Sequence, residues 1–116
     1  MTADQRRFFE STDRPRIICL CGSTRFTDAF REANLQETLK AKIVLSVGCD
    51  TKSDVELRIR PEQKVMLDML HLRKIDLADE VLILNVGGYI GESTRRELDY
   101  ARSLGKPVYF LEPEKA

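Results

Sequence analysis

The chain has no excess of either charge. Its 19 Lys and Arg balance 19 Asp and Glu, so no long-range field draws it to a nucleic-acid polymer, an anionic membrane or an acidic partner. Any anion site must be local. No apolar run approaches the ~20 residues of a membrane span, and Met1 to Arg16 is charged, without the apolar centre of a secretory signal. Both absences predict a cytoplasmic protein. Cysteine is scarce and odd in number, Cys19, Cys21 and Cys49, which predicts reduced thiols rather than a disulfide framework. A zinc site would need Cys49 and His71 to converge on Cys19 and Cys21, and the spacing lacks the paired CxxC pattern. The cysteines read as small buried hydrophobes, with no metal. Two cofactor signatures are also missing: there is no GxGxxG after the first predicted strand and no Gly-Lys-Ser/Thr phosphate loop. Their absence disfavours tightly held NAD and triphosphate hydrolysis.

What is present is an alternation of strands and helices. At 116 residues and 42% apolar content, the chain suits one domain that buries roughly two-thirds of its unfolded surface. The spacing predicts a strand over 16–21, a helix over 26–40 with Phe26, Ala29, Phe30 and Ala33 on one face, and a second strand over 42–47. Residues 48–60 read as polar and mostly structureless. Pro61 suits the first turn of a helix to Leu77, with Val65, Met66, Met69, Leu70 and Leu77 as its apolar positions. A third strand over 80–85, a helix from about Thr94 to Leu104 stopped by Gly105, and a fourth strand over 108–111 complete the pattern. Residues 1–14 read as a flexible extension, 15–112 as the domain and 113–116 as a tail.

Strands joined by helices of this length predict a parallel sheet with right-handed crossovers and helices on both faces. The order 2-1-3-4 makes it a small Rossmann-like or flavodoxin-like three-layer sandwich. In such a sheet the ligand crevice lies beyond the carboxyl ends of strands 1 and 3. Two motifs fall there. After strand 1 comes Cys21-Gly22-Ser23-Thr24-Arg25, with a glycine for the turn, two hydroxyls that can cap the next helix, and an arginine able to fork onto a phosphate or carboxylate. After strand 3 comes Gly87-Gly88-Tyr89-Ile90-Gly91-Glu92-Ser93-Thr94, a glycine-rich run into a helix N-terminus, which offers free N–H groups to an anion. Tyr89 could stack on a base or anchor the loop. Glu97 has two readings. Thr94-Arg95-Arg96-Glu97 fits a capping box, while a carboxylate at this sheet edge is also placed to act on a sugar carbon.

On Cys21 to Arg25, on Ala78-Asp79 and on the glycine loop ending in Glu97-Leu98-Asp99-Tyr100-Ala101, the chain resembles the nucleoside 2-deoxyribosyltransferase-like superfamily, which includes the 2-deoxynucleoside 5-monophosphate N-glycosidases. The resemblance spans residues 17 to about 111. It implies Glu97 as nucleophile, with Ser23, Arg25, Gly91 and Ser93 at positions that contact the sugar or phosphate. The family places an aspartate seven residues before the Ala of Ala-Asp; here that position holds His71, with Asp68 one helical turn earlier. His71, the sole histidine, titrates in the range suited to proton transfer. Arg95 and Arg96 replace small and aromatic residues. Asp76 and Asp79 read as solvated or paired with Arg73 or Lys74, and Lys74 as a positive charge near the crevice.

The resulting expectation is N-glycosidic cleavage or transfer on a nucleoside or nucleotide. Glu97, His71 and Asp68 would be catalytic, and Gly22, Ser23, Thr24, Arg25, Gly87, Gly88, Tyr89, Gly91, Ser93 and Thr94 would bind substrate. No cofactor is implied, and the resemblance implies a homodimer or larger assembly. A nucleotide-sensing module without turnover and a regulatory domain retaining only the fold are the alternatives.

Overall fold

The computed structural model describes residues 1–48 and 57–113; Cys49 and most of the expected polar segment lie outside these. The elements are α1 (Ala3–Ser11), β1 (Ile17–Cys21), α2 (Thr27–Leu39), β2 (Ile43–Leu45), α3 (Pro61–Leu77), β3 (Glu80–Ile83), a 3₁₀ turn (Val86–Gly88), α4 (Glu92–Ser103) and β4 (Val108–Phe110). The four strands form a parallel sheet in the order β2-β1-β3-β4. Ile17 pairs with Ile43, Cys21 with Ile83, and Val81 with Val108. The sheet is α/β and Rossmann-like, and none of the described helices is long and apolar enough to cross a membrane.

The two-residue repeat of the central strands divides the core. Leu20 and Leu84 join Phe30 and Ala33 on the α2 face. Cys19, Cys21, Val81 and Ile83 point the other way, onto Ile75 and Ala78 near the end of α3 and onto Leu98 and Ala101 of α4. Full burial of a side chain such as Ile75 or Leu98 contributes about 1.5–3 kcal/mol. Cys19 and Cys21 are therefore core residues, and both share a face with whatever α3 lays across the upper end of β1.

Three expectations need correction. Residues 3–11 are helical rather than a loose extension. Thr2 Oγ1 accepts from the Gln5 N–H at 3.0 Å and Gln5 Oε1 from the Thr2 N–H at 2.9 Å, a complete capping box. No residue of α1 is buried, so a local cap makes this helix where a search for an apolar stripe finds little. Next, α4 starts at Glu92 with Gly91 as its N-cap, two residues before the expected start. Finally, the apolar positions read for α3 are exposed: Val65, Met66, Met69, Leu70 and Leu77 are each at least half accessible. The side chains α3 buries are His71 and Ile75. Several apolar residues per turn made an apolar face legible without showing which face meets the sheet.

Candidate active site

Beyond the carboxyl ends of β2, β1 and β3 lies a cavity of about 300 Å³. Its walls come from three loops and two helices: Gly22 to Thr24 after β1, Val47 and Gly48 after β2, Tyr89 and Gly91 after β3, the first turns of α4, and one side of α3. Gly22 is favoured by packing. A β-carbon there would sit 3.1 Å from Leu84 Cβ and 3.2 Å from its carbonyl oxygen, tighter than ordinary carbon contacts, so the β1 loop crosses β3 at close range. Gly87 and Gly88, at φ 63° and 81°, adopt the left-handed backbone that glycine enters without penalty. They turn the chain off β3 toward α4.

The inward face of α4 carries Thr94, Glu97, Leu98 and Ala101, the spacing of one helical stripe. Because the helix begins at Glu92, Glu97 stands in its second turn. It cannot serve as the third residue of a capping box, and the Gly91 cap has no side-chain bond. The Glu97 side chain is instead buried along the cavity wall, only 8% exposed. Burial raises its pKa to about 7, against the lowering pull of His71. Arg95 makes the first intrahelical bond, 2.8 Å to the Gly91 carbonyl. The N–H groups ahead of it, at Glu92, Ser93 and Thr94, have no partner within the helix, and these residues line the cavity.

On the opposite wall, α3 presents Lys64, Leu67, Asp68, His71 and Lys74, again a single stripe. Asp68 accepts from Lys64 at 2.8 Å and faces Arg96 at 3.7 Å. Lys74 Nζ donates to the Ser46 carbonyl at 2.5 Å. The His71 Nε2 lies 3.6 Å from Cys19 Sγ and 3.4 Å from Cys21 Sγ. Cys19 is pulled down to about 6: the Cys21 thiol hydrogen-bonds to its sulfur, and with His71 this outweighs burial. Cys21 is held well above an ordinary thiol, its proton engaged by Cys19 and its burial opposing a second negative charge. Burial alone would lower His71, but the hydrogen bond and charge of Cys19, helped by Glu97, carry it upward.

The structure thus gathers most of the residues read from the sequence. Gly22, Ser23, Thr24, Asp68, His71, Tyr89, Gly91, Ser93, Thr94 and Glu97 share the cavity. Arg25, Gly87 and Gly88 are not among its lining residues. The Arg25 guanidinium rests 4.1 Å from the Tyr89 ring centre and 5.0 Å from that of Phe26, a cation–π stack at the rim. The Gly87 N–H donates to the Glu112 carboxylate, and Asn85 exchanges two 3.0 Å bonds with the Glu112 backbone, so the glycine turn is fastened to the end of the domain. Asp76 accepts from Arg73 and Tyr100. Asp79 accepts from the Ile17 N–H and from Arg14. Both aspartates are structural ties. Lys64 and Leu67 escaped the sequence reading, although the spacing that relates Asp68 to His71 runs through them.

Neither a protein-family model nor a curated protein matches the chain. The chemistry available follows from the residues: a buried carboxylate, a second acid one helix away, hydroxyls and helix N–H groups for an anion, and an aromatic ring at the mouth.

Proposed function

We propose that this protein cleaves the N-glycosidic bond of a nucleoside or nucleoside monophosphate, with Glu97 as nucleophile. The observation that carries the reading is the position of Glu97: a buried carboxylate on the cavity wall, in the second turn of α4 and free of any capping role. The motif resemblance points to the same residue. A Glu97 oxygen would attack the anomeric carbon as the carbon–nitrogen bond breaks and its electron pair leaves with the base. Asp68 or His71 would supply the proton to the departing base. Water, or a second base, would then attack the anomeric carbon of the glycosyl ester and release Glu97. Ser23 and the N–H groups of Ser93 and Thr94 suit a 5-phosphate or a sugar hydroxyl, and Tyr89 suits the face of a base.

A second reading, nucleotide binding without turnover, draws on one feature. His71 directs Nε2 at two sulfurs and Asp68 is ion-paired, so both proton donors are engaged. The experiment is a panel of nucleosides and their monophosphates, chromatographed for free base with and without an acceptor base. Base release that disappears in Glu97→Gln supports the enzyme. Saturable binding of a nucleotide with no release supports the sensor and overturns the glycosidase.

We further propose that two copies associate through the exposed side of α3. Met66, Met69, Leu70 and Leu72, with Arg73 and Tyr100, line an apolar groove there. A formal charge of zero leaves no net repulsion between copies, and a two-fold pair would let this apolar patch cover its own counterpart.

A further inference from the structure

Cys19 and Cys21 stand two residues apart on β1, so both sulfurs leave the same face of the sheet. The α3 helix crosses that face and sets His71 above them. All three donor atoms lie within 4.8 Å of one another. We infer that Cys19 Sγ, Cys21 Sγ and His71 Nε2 form a binding site for one Zn²⁺ ion at the floor of the cavity.

The spacing is the first support. With Zn–S near 2.3 Å and Zn–N near 2.0–2.1 Å, adjacent sulfur and nitrogen ligands of a tetrahedral ion lie about 3.5 Å apart. The two sulfur–nitrogen separations here are 3.6 and 3.4 Å, so the imidazole nitrogen already stands at ligand spacing from both sulfurs. Donor type is the second. Two sulfurs and one imidazole select a borderline or soft ion and reject Mg²⁺ and Ca²⁺, which require oxygen. The third is charge. On binding, each thiol yields its proton to solvent, and two thiolates neutralise Zn²⁺, so no net charge is left against Ile75, Val81, Ile83 and Leu98. The protein offers three ligands, and His71 and Glu97 both line the cavity. Of the three ligands only His71 lines the cavity, so a metal and a water as fourth ligand would enter from that side. Without an ion, the same three groups satisfy one another by hydrogen bonds, the competing account of the cluster.

With its Nε2 on the metal His71 cannot also protonate the departing base from that atom, so that role falls to Asp68, and the test of the site uses no turnover. The full chain, reduced and freed of metal with a chelator, is titrated anaerobically with Co²⁺. The expected result is a thiolate-to-cobalt charge-transfer band with intense tetrahedral d–d bands, saturating at one equivalent and bleached by Zn²⁺. His71→Gln leaves β1 intact and should lower Zn²⁺ affinity by more than the roughly 10–100-fold lost when only a group supporting a ligand is removed. Cys21→Ser, with the fold checked by circular dichroism, should do the same. Zn²⁺ should also raise the melting temperature of the parent chain and not of His71→Gln. Weak octahedral cobalt spectra without charge transfer would overturn the site. So would parental affinity in His71→Gln, or loss of binding in Cys49→Ser.

Discussion

Glu97 shows how a helix start decides the work of one side chain. Were α4 to begin at Thr94, the glutamate would close a capping box; beginning at Glu92, the helix turns the same carboxylate into the cavity. Glu97→Gln keeps the side chain's size and hydrogen bonding, so the melting temperature should stay within the few degrees that correspond to about 1 kcal/mol. Base release should fall roughly 10³-fold or more, because an amide neither attacks the sugar nor stabilises positive charge on it. Chromatography and thermal melts on one preparation separate the two effects, and unimpaired turnover would remove Glu97 from the mechanism. Gly22 is the second residue whose identity is dictated by its neighbours. Gly22→Ala places a methyl 3.1 Å from Leu84 Cβ, with its carbonyl equally close, and neither is the free end of a flexible chain. Overpacking of this kind typically costs about 1–3 kcal/mol, so chemical denaturation should show a lower midpoint with an unchanged slope.

Among the elements, the ends of α2, β2 and β3 are held by charge. Glu37, buried in α2, accepts from Lys40 at 2.8 Å and Lys42 at 2.9 Å. Lys42 also pairs with buried Glu80 at 2.9 Å, and Arg16 reaches Glu80 at 3.4 Å. Burial works against the Glu37 carboxylate, but its two lysines hold the pKa below the usual 4.5. Such a depressed carboxyl contributes stability that is fully present above its unfolded value and is lost as pH falls through the folded one. Lys42 is displaced upward from 10.5, chiefly by Glu37 and against burial, so its share is present below that value and lost only in stronger alkali. The carboxyls held low should therefore make thermal stability decline below about pH 4.5, while nearer neutrality Glu97, raised to about 7, lowers it as pH rises and Cys19, lowered to about 6, raises it. Glu37→Gln should melt lower at neutral pH and show a shallower acid decline, since Asp76 and Asp79, also held low by their partners, still titrate. An acid limb identical to that of the parent chain would show that Glu37 plays no part in it.

For the whole molecule, the outward apolar side of α3 is the feature most open to test. Val65, Met66, Met69 and Leu70 are half or more exposed on the helix whose inner side builds the cavity wall. Leu70 borders both the cavity and the outer groove, so a copy seated on the groove would lie beside the site's mouth. Sedimentation should give twice the mass of one chain. The double substitution Met66→Lys, Met69→Lys should shift it to a single chain by placing like charges across a two-fold interface. Its helix content should be unchanged, because neither residue packs in the core. A parent chain that sediments as one copy at high concentration would remove the pair.

By itself the sequence determined the strands and helices from β1 to β4 and their order, though not α1. Apolar runs at Ile17 to Cys21 and Val81 to Leu84, with helical spacing between them, specify parallel strands and crossovers, and these place the Cys21 to Arg25 loop and the glycine loop at neighbouring strand ends. Pro61 marked a helix start because ring closure presets its φ and removes an N–H that no helix start could pair. Which face of each helix turned inward was left to tertiary structure. Ile75 and His71, rather than the methionines, meet the sheet, since a stripe of apolar residues has many nearly equal orientations until a particular groove is offered. The same packing took Arg25 to Tyr89 and brought His71 onto Cys19 and Cys21. Those groups are about 50 residues apart, and only crossover geometry brings them together. Spacing along the chain carries local hydrogen-bond and burial preferences; the distance between two buried donors depends on how whole elements cross.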